Sequence, residues 1–217
     1  MGIPVLIIGK SGSGKSASLR NFQPGEVGIV NVLGKPLPFR NKLSSLNTDD
    51  YKRVYSVLKN AKTDCLVIDD AGYLMTNQFM RGHSKGGAGN GIFSFYNDLG
   101  DQFWNLVRYV VEELPPQRIV YFMMHEDKND MGDVKPKTIG KMLDEKVCVE
   151  GMFTIVLRCM LMNGKHIFRT QTDGLDTCKS PMGMFTDLEI DNDLKMVDTT
   201  IREYYELTES KEDNNDD

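Results

Sequence analysis

The residues with the clearest chemistry lie near the start of the chain. Gly9-Lys10-Ser11-Gly12-Ser13-Gly14-Lys15-Ser16, followed by Ala17, has the spacing G-x-x-x-x-G-K-[ST]. The glycines let the backbone curl until several N–H groups face one point, which is what a phosphate group requires. A helix starting directly afterwards adds its positive end to that point. Lys15 then reaches the β- and γ-phosphates, and the Ser16 hydroxyl takes a Mg²⁺ ion. The pattern therefore assigns Gly9, Ser11, Gly12, Ser13, Gly14, Lys15, Ser16 and Ala17 to a nucleotide, with ATP and Mg²⁺ as the expected cofactors.

Two further groups fit that chemistry. Leu66-Val67-Ile68-Asp69-Asp70 is an apolar run that delivers carboxylates to its C-terminal end. Asp69 is expected to hold the Mg²⁺ with Ser16. Asp70 is expected to orient or deprotonate the attacking water, the alternative being a helix N-cap. The run Ile119 to Met124 ends in His125-Glu126-Asp127. A histidine there can donate one ring N–H to the γ-phosphate and anchor the other nitrogen, or simply end the strand. Lys15, Asp70 and His125 form the expected catalytic set, with Glu126 the next candidate for the base. His83 and His166 have no comparable placement.

These groups need strands to present them. Ile3 to Ile8 is a short β-branched run bounded by glycines, expected to be a buried parallel strand leading into the glycine-rich turn. Ser16 to Phe22 should be a helix, stopped before Pro24-Gly25. Val27 to Leu33 should be a second strand. Asp49 to Asn60 should be a helix capped by Thr48, since Tyr51, Val54, Tyr55 and Leu58 share one face. Cys65 to Ile68 and Arg118 to Met124 are further buried strands. Ser94 to Leu114 is a long amphipathic helix ended by Pro115-Pro116. Residues 81–91 contain five glycines and read as a mobile loop; residues 125–146 are polar with little pattern. Phe153 to Met162 and Lys165 to Gln171 flank Asn163-Gly164, a type I′ hairpin turn. Leu194 to Leu207 is the expected last helix. The expected fold is an α/β P-loop core: a mainly parallel sheet flanked by helices, with a C-terminal β-hairpin.

Composition bounds the rest. The chain has 217 residues, 40% hydrophobic and 26% charged, which suits one soluble domain over 1–207. Residues 208–217 carry five acids and one lysine, a net −4 of the total −5, so the body is near neutral and overall charge does not decide for or against a nucleic-acid partner. That tail should be disordered, either merely solvating, or competing with DNA for basic loops or recruiting a partner. No apolar run approaches a membrane span and no signal peptide is present, so a cytoplasmic location is expected. Cys65, Cys148, Cys159 and Cys178 lack metal-ligand spacing and read as buried free thiols.

The strand-and-helix unit between the glycine turn and Asp69 is a feature of the RecA/AAA-like branch of P-loop proteins. The N-K-x-D and LSGGQ signatures of two rival branches are missing. The chain resembles phage nucleotide-binding proteins of the AAA/RecA-like class. Within that class it resembles the short RecA-like single-strand annealing proteins of phages of Gram-positive bacteria. The resemblance spans most of residues 2–170. It is carried by GKSGSGKS, NVLGKPLPF (31–39), LVIDD, YFMMHED and PKTIGKML…EGMFTIVL (136–157). It implies a RecA-like core without large accessory domains, an ATPase that binds single-stranded DNA, and a role in phage recombination or replication by annealing or strand exchange. It also implies a homo-oligomer in the host cytoplasm. A single-strand binding protein is a further candidate partner. The family's catalytic glutamate after the second strand is missing from Asn31-Val32-Leu33-Gly34, so Asp70 substitutes for it or turnover is slow. RecA-like proteins also reach the γ-phosphate with lysines of a neighbouring subunit. Lys135, Lys137 or Lys141 could fill that role, or be solvent-facing loop lysines.

The expected DNA contacts are Arg81, Lys85 and the glycine loop between them, with Lys128, Lys135, Lys137, Lys141 and Lys146 as further cations. Phe93, Phe95 and Tyr96 could stack on bases or serve as core aromatics. Two other function classes stay open: a nucleotide-dependent regulator or assembly factor without DNA binding, and a small-molecule P-loop kinase.

Overall fold

The computed structural model describes residues 1–83, 90–129, 132–139 and 147–207. The central strands are the apolar runs expected from sequence: β1 (Ile3–Gly9), β2 (Gly28–Asn31), β4 (Cys65–Asp69) and β5 (Ile119–Lys128). A short β3 (Ser45–Asn47) forms one edge. The sheet order is β3-β2-β4-β5-β1-β7-β8-β9, where β7 is Ile155–Met162, β8 Lys165–Arg169 and β9 Glu189–Asp191. All pairings from β3 to β7 are parallel; the β7-β8-β9 end is antiparallel. Strand β5 thus lies between β1 and β4, bringing the ends of all three strands to one rim.

Both faces of the sheet are covered, so its strands are apolar on both sides. Leu6 and Ile8 of β1 and Val120, Phe122 and Met124 of β5 face helices α1 (Tyr51–Asn60), α2 (Gly72–Gly82) and α3 (Asn90–Glu113). Val5, Ile7, Ile119, Tyr121 and Met123 face the opposite layer. That layer holds Leu19, Phe22 and Met184, with Leu194, Val197 and Ile201 of helix α4 (Leu194–Tyr204). Each fully buried side chain of this size contributes about 1.5–3 kcal/mol.

Several elements differ from expectation for local reasons. Helix α1 is capped by Asp50, whose carboxylate accepts from Lys52 N–H, while Thr48 Oγ1 accepts from Asp50 N–H just before the helix. The segment after the glycine turn is a six-residue 3₁₀ helix, Ser16–Asn21, rather than an α-helix to Phe22. Its last turn is tied down by Arg20 donating to the Asn192 carbonyl and Asn21 Nδ2 donating to Asp193 Oδ2 at 2.7 Å. Of the segment 81–91 expected to be a loop, Arg81 and Gly82 end α2 and Asn90 begins α3, earlier than Ser94, while residues 84–89 lie outside the described residues. Strand β5 runs four residues past Met124 because β6 (Val134–Pro136) pairs antiparallel with Glu126–Lys128. The turn Asn163-Gly164 has φ of 50° and 78°, as a type I′ hairpin requires. Cys65, Cys159 and Cys178 are buried free thiols, but Cys148 is exposed. The acidic tail, 208–217, lies outside the described residues.

Candidate nucleotide site

The glycine turn closes at the C-terminal end of β1. Ser13 N–H donates to the Lys10 carbonyl at 3.2 Å, and the left-handed φ values of Gly12 (78°) and Gly14 (105°) make the turn possible. A side chain at Gly14 would meet the His166 ring at 3.0 Å, while one at Gly12 would meet nothing within 4 Å. Lys15 is buried, with Nζ donating to the Gly9 and Lys10 carbonyls at 2.7 and 3.0 Å. Burial lowers its pKa from the ordinary lysine value, with Cys159, Asp70 and Asp69 opposing that shift.

Ser16 Oγ donates to Asp69 Oδ1 at 2.9 Å, across the intervening strand β5. Burial, reinforced by the charge of Asp70, raises the Asp69 pKa; the Ser16 hydrogen bond opposes it. This is the local cost of holding a carboxylate where a cation would repay it. Hydroxyl and carboxylate oxygens are hard donors suited to Mg²⁺, and two protein ligands are enough for an ion that otherwise takes phosphate oxygens and water. Among the described residues no cluster of three or more His, Cys, Asp or Glu offers an all-protein cage. The donor set therefore fits a nucleotide-bound Mg²⁺.

Asp70 is the unusual residue. Its backbone is left-handed (φ 58°), a conformation that aspartate tolerates better than most residues and that often marks functional sites. It does not cap α2, whose N-terminus has no side-chain cap. Its carboxylate instead pairs with Lys35 Nζ at 2.6 Å and lies 3.5 Å from His125 Nε2. Burial pushes its pKa up, but the hydrogen bonds from His125 and Lys35 outweigh burial and hold it at about 2. Lys35 comes from the loop after β2. Sequence reading gave Lys35 no role, since a lone loop lysine carries no spacing signal.

His125 stands level with Gly9 in the β1–β5 register, at the rim expected for a γ-phosphate sensor. Its ring stands in a T-shaped contact with that of Tyr73, and its carbonyl accepts from Lys137 N–H at 2.7 Å. A cavity of about 520 Å³ opens here, with Lys10, Lys35, Lys137, His125, Tyr73 and Glu126 in its wall. Lys137 thus lines this chain's own cavity, whereas Lys135 lies on β6 opposite Asp127 and Lys141 lies outside the described residues. Glu126 is bound by Arg158 through two hydrogen bonds of 2.8 and 2.9 Å, an arrangement that occupies both carboxylate oxygens. That pairing ties Glu126 to Arg158 rather than to a water beside the γ-phosphate.

The hairpin supports the turn from the other side. His166 Nδ1 lies 2.6 Å from the Ser13 carbonyl, Cys159 Sγ donates to the same oxygen at 3.0 Å, and Asn192 Nδ2 donates to Cys159 Sγ at 3.1 Å. His166, which the sequence left without a placement, is therefore a P-loop contact; only strand order reveals it.

A family model described as an AAA domain matches residues 1–182. The chain belongs to the AAA domain family. No curated protein matches it. AAA domains of the P-loop NTPase type are nucleotide-binding domains, and in this one the glycine turn, Asp69 and His125 lie at one rim, at the ends of β1, β4 and β5. The expected DNA contacts of this AAA domain come together less clearly. Arg81 pairs with Asp49 at 2.9 Å, and Lys85 and Lys146 lie outside the described residues. Phe95 and Tyr96 stack on Phe79, at 6.4 and 5.5 Å between ring centroids, joining α2 to α3. Among the described residues no helix is long and apolar enough to cross a membrane.

Proposed function

We propose that this AAA domain is a Mg²⁺-dependent ATPase. The observation that carries this reading is the Ser16–Asp69 hydrogen bond at 2.9 Å beside Lys15, with Asp70 at the same rim. When bound, ATP·Mg²⁺ supplies the electrophilic γ-phosphorus and the metal charge. Lys15 and the turn's N–H groups balance phosphate charge and hold the nucleotide in line. Ser16 and Asp69 hold the metal. Asp70 accepts a hydrogen bond from water and orients it; a carboxylate held at about 2 is a weak proton acceptor, so orientation is its main contribution. His125 Nε2 reports on the γ-phosphate.

The finer reading is an oligomeric ATPase that binds single-stranded DNA in phage recombination or replication and promotes annealing or strand exchange. Its support is the resemblance of the segments around residues 9–16, 31–39, 66–70, 121–127 and 136–157. A second reading, a nucleotide-dependent regulator that turns over slowly, is favoured by one observation: Lys35 holds Asp70 at 2.6 Å. The deciding experiment is ATP hydrolysis with and without single-stranded DNA, with Lys15→Ala as control. Stimulation that vanishes in Lys15→Ala is expected. Unstimulated hydrolysis without DNA binding in either nucleotide state moves the reading to the regulator, and undiminished ATP affinity in Lys15→Ala sinks the P-loop assignment.

A further inference from the structure

Lys35 faces two concavities. One is the cavity at His125; the other is a groove of about 470 Å³ where the chain leaves β2, loops out and returns as the edge strand β3. Its wall includes Lys35, Phe39, Arg40, Ser45 and Asn47, and no carboxylate. From Lys35 to Asn47 the chain carries Lys35, Arg40 and Lys42 without a single acid. Arg40 and Lys42 are exposed, and among the described residues neither is paired with a carboxylate. In a chain whose net charge is −5, this is a locally cationic strip at a sheet edge, complementary to a flexible polyanion.

We propose that this groove binds the phosphodiester backbone of a single nucleic-acid strand and that Lys35 passes its occupancy to the ATP site. The proposal rests on the single-stranded DNA reading above. Arg40 and Lys42 attract the backbone without reading bases, as sequence-tolerant single-strand binding requires. Lys35 is the link because its one ammonium group holds Asp70 Oδ2 at 2.6 Å while its side chain, 61% exposed, also lines the groove. A phosphate in the groove competes for that ammonium. As Lys35 turns towards it, Asp70 is released to orient water. Hydrolysis is held back when the groove is empty and rises when a strand fills it.

Two measurements on the full chain test this. The first is fluorescence anisotropy of labelled oligothymidylate. Arg40→Glu is expected to weaken binding by about tenfold or more and to lower the salt dependence by about one phosphate contact. Lys59→Glu makes the same charge change on the exposed last turn of α1, outside the groove, and is expected to stay within about threefold of wild type. Arg40→Gln removes the charge alone and replaces Arg40→Glu if thermal melting shows that the reversal unfolds the protein. The second measurement is turnover. Lys35→Ala is expected to hydrolyse ATP several-fold faster than wild type without DNA and to lose stimulation by DNA. Wild-type affinity in both Arg40 variants, or full stimulation in Lys35→Ala, overturns the proposal and leaves the single-strand reading standing. A wild-type chain that binds no oligonucleotide overturns both.

Discussion

Asp69 and Asp70 are neighbours in sequence with opposite surroundings, and that contrast separates their roles. Asp69 is buried against Ser16 and its pKa is raised, so it gains from a cation; Asp70 already has two cationic or donor partners and is held at about 2. Asp70→Asn keeps the side-chain shape and removes the charge that holds water. ATP turnover is expected to fall by about a hundredfold or more while ATP affinity changes little. Steady-state hydrolysis alongside equilibrium nucleotide binding checks this, and a fully active variant would move the water-orienting role away from Asp70. Much of this residue-scale picture is readable in the sequence: G-x-x-x-x-G-K-[ST] and the two aspartates have fixed spacing and sit at strand ends. Lys35 is not readable, because its partner is 35 positions away and its loop has no repeating pattern. The same holds for the Glu126–Arg158 pair, which exists only because the β1–β7 register brings Arg158 level with Ile8.

At the scale of elements, strands and long helices are legible because burial on two faces or on one leaves a periodic apolar trace. Helix α3 and the central parallel strands are expected for that reason, though not the short edge strand β3, and the Asn163-Gly164 turn because its φ values restrict residue type. Helix α2 left a weaker trace, since it is short, uncapped by a side chain and runs directly into the glycine-rich segment. The contact of the hairpin with the P-loop left none: β8 reaches Ser13 across more than 150 residues of chain. Strand β8 should therefore tune the nucleotide site. His166→Ala removes the 2.6 Å contact to the Ser13 carbonyl and leaves that oxygen to Cys159 alone. A stability loss of about 1 kcal/mol is expected, with ATP affinity several-fold weaker and turnover at saturating ATP less affected. Denaturant unfolding together with nucleotide titration checks it. An unchanged affinity would make the hairpin a packing element only.

At the scale of the molecule, the P-loop, Asp69, Asp70 and His125 come from the ends of three adjacent central strands, the most deeply packed part of the sheet. The rim is therefore rigid, while its charges remain costly: Lys15 and Asp69 are both buried with pKa values moved against their charged forms. A ligand that answers those charges should stabilise the whole domain, because it binds the folded state and not the unfolded chain. With ATP·Mg²⁺ at a hundred times its dissociation constant, linkage gives about 2.7 kcal/mol. For a chain of this size that corresponds to a rise in melting temperature of roughly 5–10 °C. Chelating the metal removes the charge that Asp69 and Ser16 are arranged to meet, so ATP with excess EDTA should give a clearly smaller shift. Lys15→Ala should give almost none. Thermal melts of both proteins with ATP, with ATP and EDTA, and without ligand separate the contributions. Equal shifts with and without metal would mean that Ser16 and Asp69 hold no ion, and a full shift in Lys15→Ala would mean that the nucleotide binds elsewhere on the molecule.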